Sequence, residues 1–184
     1  MSQLDQLVAN YRRHIQLSHS PGLPTAQRVW FAVYSPEDER RLQARLGEFD
    51  ICTREAGYLW QPIDLRGQLA AWFLSVDAGE LPEWFKYPDD IVTYARTGFQ
   101  DQLLSFIRAE MDKTSDPRRT VFALTGLMEL FDFRHVSEIL GELEKSFQGF
   151  LLVFFPGERE EHSYRFLGAR DGWNYLAVPI LSER

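Results

Sequence analysis

The sequence predicts a single three-layer α/β domain with a mostly parallel sheet, an antiparallel edge hairpin near the C-terminus and an N-terminal helix. Three observations lead there. Near-continuous apolar runs occupy residues 28–34 (RVWFAVY), 120–124 (TVFAL) and 150–155 (FLLVFF). That is the composition of strands covered on both faces, the state of a parallel sheet between helices. Between the runs, apolar residues recur at three- and four-residue spacing, so strands and helices alternate. Two short strand-like segments, 164–167 and 175–180, close the chain through Gly168 and Asp171-Gly172, which reads as a hairpin turn.

The elements follow in order. Leu4, Leu7, Val8, Tyr11 and Ile15 share one helical face, with Gln6, Arg12 and Arg13 opposite, so residues 1–19 form an N-terminal helix packed on a domain spanning 28–184. Ser20-Pro21-Gly22-Leu23-Pro24-Thr25 is a turn-rich connector. After the first strand, Ser35-Pro36-Glu37-Asp38 offers a cap, a proline for the first helical position and first-turn acids. Leu42, Leu46 and Phe49 then point inward. Residues 58–65 read as a second strand, placed at a sheet edge because Pro62 lacks a backbone donor. A short helix carries Leu69, Ala70, Trp72, Phe73 and Leu74, and a proline-bearing loop follows. Pro88-Asp89-Asp90 opens a long helix with Val92, Ala95, Phe99, Leu103, Phe106 and Ile107 inward. Asp116-Pro117 precedes the third strand, a helix over 133–147 follows it, and the fourth strand stops at Pro156-Gly157.

Composition bounds the function classes. With 184 residues, 45% hydrophobic and 14% aromatic, the chain can build one large core. No apolar run approaches the roughly 20 residues of a membrane-spanning helix. Residues 1–5 lack the basic start and apolar stretch of a secretory signal. The single Cys52 excludes an intrachain disulfide and reads as a small buried side chain, so a reducing cytoplasm is expected. The net charge of -7, with no basic run beyond Arg12-Arg13, Arg40-Arg41 and Arg118-Arg119, disfavours direct nucleic-acid binding. Seventeen arginines against three lysines suit a protein interface, and equally a GC-rich genome.

Ligands of open α/β sheets sit beyond the carboxyl ends of the strands. Four acids fall there: Asp38, Asp64, Asp132 and Glu158. Converging carboxylates would hold magnesium for a phosphoryl-transfer or nuclease enzyme. The alternative, which we favour, is that Asp38, Asp64 and Asp132 serve helix starts and Glu158 sits in a solvated turn. Thr125-Gly126 follows a buried strand, but Gly126-Leu127-Met128-Glu129-Leu130-Phe131 lacks the lysine and second glycine of a phosphate loop. His14 and His19 stand five apart, off the spacing for two ligands on one helical face. His135 could touch Asp132, and His162 lies in a charged loop; no G-x-S-x-G elbow accompanies either. No catalytic, cofactor-binding or metal-ligating residue is therefore assigned. Trp72, Phe73, Trp84, Phe85 and Tyr87 cluster in the middle of the chain, either as a lid over the core or as a protein interface.

One resemblance adds to this reading. Residues 28–39 (RVWFAVYSPEDE), Ile63-Asp64-Leu65, 122–126 (FALTG), 151–158 (LLVFFPGE), Tyr164-Arg165-Phe166-Leu167-Gly168 and Asn174-Tyr175 resemble, in order and spacing, the BrxB-domain proteins of BREX bacteriophage-resistance systems. The resemblance spans about residues 28–180. It implies a small cytoplasmic component of a multi-protein defence system, noncatalytic and without cofactors. Such a component would act as an assembly subunit or adaptor through contacts with other BREX proteins, a PglZ-type protein first among them.

Overall fold

The structure, a computed structural model, describes residues 2–17, 22–76, 78–130, 136–160, 163–166 and 177–182. Helix α1 (Gln3–Leu17) precedes strand β1 (Val29–Tyr34), and helix α2 (Glu39–Glu55) leads to β2 (Leu59–Asp64). Four helical pieces follow: α3 (Gln68–Ser75), α4 (Leu81–Lys86), α5 (Pro88–Tyr94) and α6 (Gln100–Met111). A π-helical turn, Ala95–Phe99, joins α5 to α6. Strand β3 (Thr120–Thr125), helix α7 (Val136–Leu143) and strands β4 (Phe150–Glu160), β5 (Ser163–Phe166) and β6 (Val178–Ile180) complete the order.

The sheet runs β2-β3-β4-β1-β6 with every neighbouring pair parallel, and β5 joins the far end of β4 antiparallel. All six residues of β1 and of β3 are buried, as expected for strands covered on both faces. Alternate side chains enter two cores. Trp30, Ala32, Val121, Ala123, Phe150, Leu152 and Phe154 meet Leu4, Leu7, Tyr11 and Ile15 of α1 with Leu42, Phe49 and Cys52 of α2. Val29, Phe31, Val33, Phe122, Leu124, Leu151, Val153 and Phe155 meet the helices α3–α7. The period of two thus sorts each strand between two helical layers.

From β1 the chain crosses to the far edge at β2 through α2, then steps back to β3 and β4 through α3–α7 on the opposite face. Travelling out on one face and back on the other gives the crossovers from β1 to β4 the same hand. Both outer strands carry a proline, Pro62 in β2 and Pro179 in β6, which blunts each edge against further strand pairing.

Four local expectations are corrected. Strand β4 does not stop at Pro156-Gly157 but runs on to Glu160. Pro156 opposes Tyr34, and Gly157 opposes Phe166, where a Cβ would stand 1.9 Å from the Arg165 carbonyl oxygen. The glycine is there for close strand approach and not for a turn. The antiparallel partner of β5 is therefore β4, whereas β6 lies parallel to β1; the expected turn at Gly168 and Asp171-Gly172 lies outside the described residues. The proline-bearing segment after α3 is partly the helix α4, with Pro82 in its first turn, where the missing donor costs nothing. The helix after β1 begins at Glu39, preceded by a 3-10 turn over Pro36–Asp38, and Ser35 makes no side-chain cap bond.

Candidate functional site

The connection from β1 leaves toward α2 on one face, and that from β3 toward α7 on the other. Between them stands β4, so the switch point where open α/β sheets usually bind ligands lies at its carboxyl end. There the β4–β5 hairpin stands. Its Tyr164, 2% exposed, packs on Phe31 at 4.6 Å and Phe155 at 5.7 Å between ring centroids, and its hydroxyl donates to the Ala177 carbonyl at 3.1 Å. Burial raises the Tyr164 pKa, as expected for a hydroxyl serving packing.

Two of the strand-end acids, Asp64 and Asp38, are engaged locally. Asp64 closes β2 beside Thr125 of β3 and is forked by Arg66, with Nε 2.9 Å from both carboxylate oxygens and Nη2 2.5 Å from Oδ2. The Arg66 backbone amide donates to the same carboxylate at 3.1 Å. Partial burial pushes the Asp64 carboxyl up, but the Arg66 bonds outweigh it and hold the pKa below the ordinary value of 3.8. Asp38 receives Arg41 Nη1 at 3.1 Å. Glu158 is exposed on β4, and Asp132, His135, His162 and His19 lie outside the described residues. Among the described residues no three His, Cys, Asp or Glu side chains come together so as to hold a metal ion.

Sequence reasoning missed a third engaged acid. Tyr34 at the end of β1 donates its hydroxyl to Glu39 Oε2, and Gln43 Nε2 reaches Oε1 at 2.9 Å. Burial and the carboxylate together raise the Tyr34 pKa, so the hydroxyl stays a proton donor. The tyrosine at a strand end followed five residues later by a glutamate in the next helix was the available signal. The turn after β3 behaves as its apolar sequence requires. Leu127 and Leu130 are buried, and Gly126 packs so closely that a Cβ would stand 2.8 Å from the Arg66 amide nitrogen and 2.9 Å from Asp64 Oδ1. A turn so filled offers no open cradle to a phosphate.

Because the Asp64–Arg66 pair is half exposed, Asp64→Asn is expected to cost less than about 1 kcal/mol. With its folded pKa depressed, the carboxylate stabilises the fold above its unfolded pKa, and that contribution fades as pH falls through the lower folded value. Urea melts at pH 7 and pH 3 check both statements; a loss above about 2 kcal/mol at neutral pH would mean the acid does more than anchor Arg66.

A different surface stands out on the helical layer over β2 and β3. Trp72 and Trp84 are buried and stacked at 5.6 Å, and Trp84 lies flat on Tyr94 at 4.7 Å with a 10° interplanar angle. Outside this inner pair, Leu74 is 87% exposed, Phe85 68%, Tyr87 60% and Tyr94 50%. The expected aromatic cluster is thus both lid and surface: the tryptophans cover the core, and Phe85 and Tyr87 face solvent. Leu74 turns out at the last turn of α3 because Trp72 takes the buried side. The adjoining π turn brings Phe99 to 5.8 Å from Trp72, and a Cβ on Gly98 would stand 3.1 Å from Trp72 Nε1. Such π turns recur at functional sites.

Comparison with family models, with curated proteins and with solved structures finds no match to this chain. Among the described residues no helix is long and apolar enough to cross a membrane.

Proposed function

We propose that this chain is a noncatalytic assembly subunit of a BREX-type phage-defence system in the cytoplasm, binding a PglZ-type protein through the surface of α3, α4 and α5. The observation that carries the reading is the exposure of Leu74, Phe85, Tyr87 and Tyr94 around a buried tryptophan pair. Aromatic anchors backed by rigid packing are the residues that dominate binding energy at protein interfaces. The same stretch, residues 74–94, carries the acids Asp77, Glu80, Glu83, Asp89 and Asp90 against the single base Lys86. Its partner surface is accordingly basic with an apolar centre. The engagement of Asp38, Asp64 and Glu39 by neighbouring side chains supports a structural role for the carboxyl edge. The segments that resemble BrxB domains overlap strands β1 to β5, and the aromatic surface lies in the β2–β3 connection between two of them.

The test is association of the purified chain with the PglZ-type protein of the same operon, by calorimetry and gel filtration. We expect a stable complex, weakened at least about tenfold by the double change Phe85→Ser and Tyr87→Ser with the melting temperature unchanged, since both side chains are exposed. Separate elution at about 100 μM of each protein rejects the partner. Full binding by the double variant rejects the surface.

A further inference from the structure

A cleft of about 340 Å³ opens between α1, the outer end of β4 and the edge strand β6. It belongs to the α1 side of the sheet, away from the aromatic surface on the other helical layer. Arg13 from α1 and Arg159 from β4 both line it, and no described carboxylate does. Neither arginine forms an ion pair with a described residue, in a chain whose net charge is -7.

A second groove on α1 supplies the contrast. It has about the same volume and also holds two arginines, Arg12 and Arg45, but there the charges are met. Arg45 reaches Asp5 at 2.8 Å and Glu48 at 2.7 Å, and Arg12 reaches Glu55 at 3.5 Å. Two guanidiniums facing one space repel each other unless an anion stands between them, and their planar donor forks match phosphate oxygens. The rest of the wall gives the ligand a second half. Leu17, Pro179 and Leu181 are apolar, and Asn10 donates Nδ2 to the Leu181 carbonyl at 2.7 Å, which ties α1 to the strand end and fixes the wall. The volume falls in the range of small-molecule sites.

We propose that this cleft binds a small organic phosphate, a phosphate monoester on an apolar or aromatic group of about mononucleotide size, with Arg13 and Arg159 holding the phosphate. The site is independent of the partner surface described above. The probes are AMP, inorganic phosphate, adenosine and acetate, titrated by calorimetry or by amide chemical shifts into the full chain and into Arg13→Gln, Arg159→Gln and Arg12→Gln variants. AMP should bind with Kd of about 1 mM or tighter, phosphate should compete with it, and adenosine should bind at least about tenfold more weakly. Arg13→Gln and Arg159→Gln should each weaken AMP at least about tenfold with no change in melting temperature, both side chains being exposed. Arg12→Gln, in the groove whose arginines are already paired, should leave AMP binding as it is. No response to AMP or phosphate at about 10 mM overturns the proposal. AMP binding unchanged in Arg159→Gln also overturns it, and so does acetate binding as well as phosphate, which would assign a carboxylate ligand.

Discussion

Trp30→Ala is expected to lower stability by about 3–5 kcal/mol, the cost of removing a large aromatic side chain from a sealed core. Trp30 is fully buried on β1, the strand between β4 and β6. It stacks on Phe150 of β4 at 4.6 Å and meets His14 edge-on at 4.7 Å and Tyr11 at 6.4 Å, both from α1. Its indole Nε1 donates to the Gln27 carbonyl at 3.0 Å. Removing the ring therefore opens a cavity between the sheet and α1 and leaves the Gln27 carbonyl without that donor. Domains of this size are stable by about 5–15 kcal/mol, so the variant should sit near the threshold of folding at 37 °C. Its urea midpoint should fall with m unchanged. A loss below about 1.5 kcal/mol would mean that α1 does not seal this face, and the placement of the N-terminal helix would fail.

The sheet was legible in the sequence because a strand buried on both faces cannot hide its composition. Residues 29–34, 120–125 and 150–155 carry almost no polar side chain, and each is a strand. Pro62 placed β2 at an edge for a reason that survives folding, its missing donor. Pairing was less legible. A Pro-Gly after an apolar run signals a turn by local propensity, yet the 1.9 Å approach of the Arg165 carbonyl to a Cβ position at Gly157 is a tertiary demand that no local pattern encodes. The same holds for α4, whose six residues are followed by a tyrosine-proline pair and are helical because Trp84 buries against Trp72.

Site residues were legible as positions and not as partners. Asp38 falls just after β1 and Asp64 at the end of β2 as expected, but the guanidinium that forks Asp64 comes from two residues along the chain, and the one that reaches Asp38 from three. Such short-range pairs are as probable in sequence as any other acid and base, so geometry alone selects them. The cleft at Arg13 and Arg159 joins positions 146 residues apart with β6, whose place beside β1 was not predicted. No pattern in either local sequence could have joined them.

Gly149→Ala should be at least about as damaging as a core truncation, with a loss of about 3 kcal/mol or more, although it adds a single methyl group. Gly149 adopts φ +83°, a region costly to any residue with a Cβ, in the turn that delivers α7 into β4. A Cβ there would stand 2.3 Å from the Pro117 carbonyl oxygen and 2.5 Å from that of Thr120. Both are backbone atoms, one in the 3-10 turn over Pro117–Arg119 that leads into β3 and one at its first residue; Val121 of β3 pairs with Phe150, so relief requires prising β4 from β3 at the first step of their register. The Gly149 carbonyl also accepts from Arg28 Nη1 at 3.0 Å, and the Arg28 guanidinium lies 5.1 Å from the Phe147 ring centroid. One displaced turn would thus loosen the amino ends of β1, β3 and β4 together. Gly141→Ala is the matched control. Gly141 lies inside α7, without a positive φ, and a Cβ there meets nothing within 4 Å. That change should stabilise the fold by about 0.5–1 kcal/mol by restricting the unfolded chain. Paired melts of the two variants separate the causes. Opposite signs are expected, and a Gly149→Ala chain that melts with the wild type would remove β4 from its place beside β3.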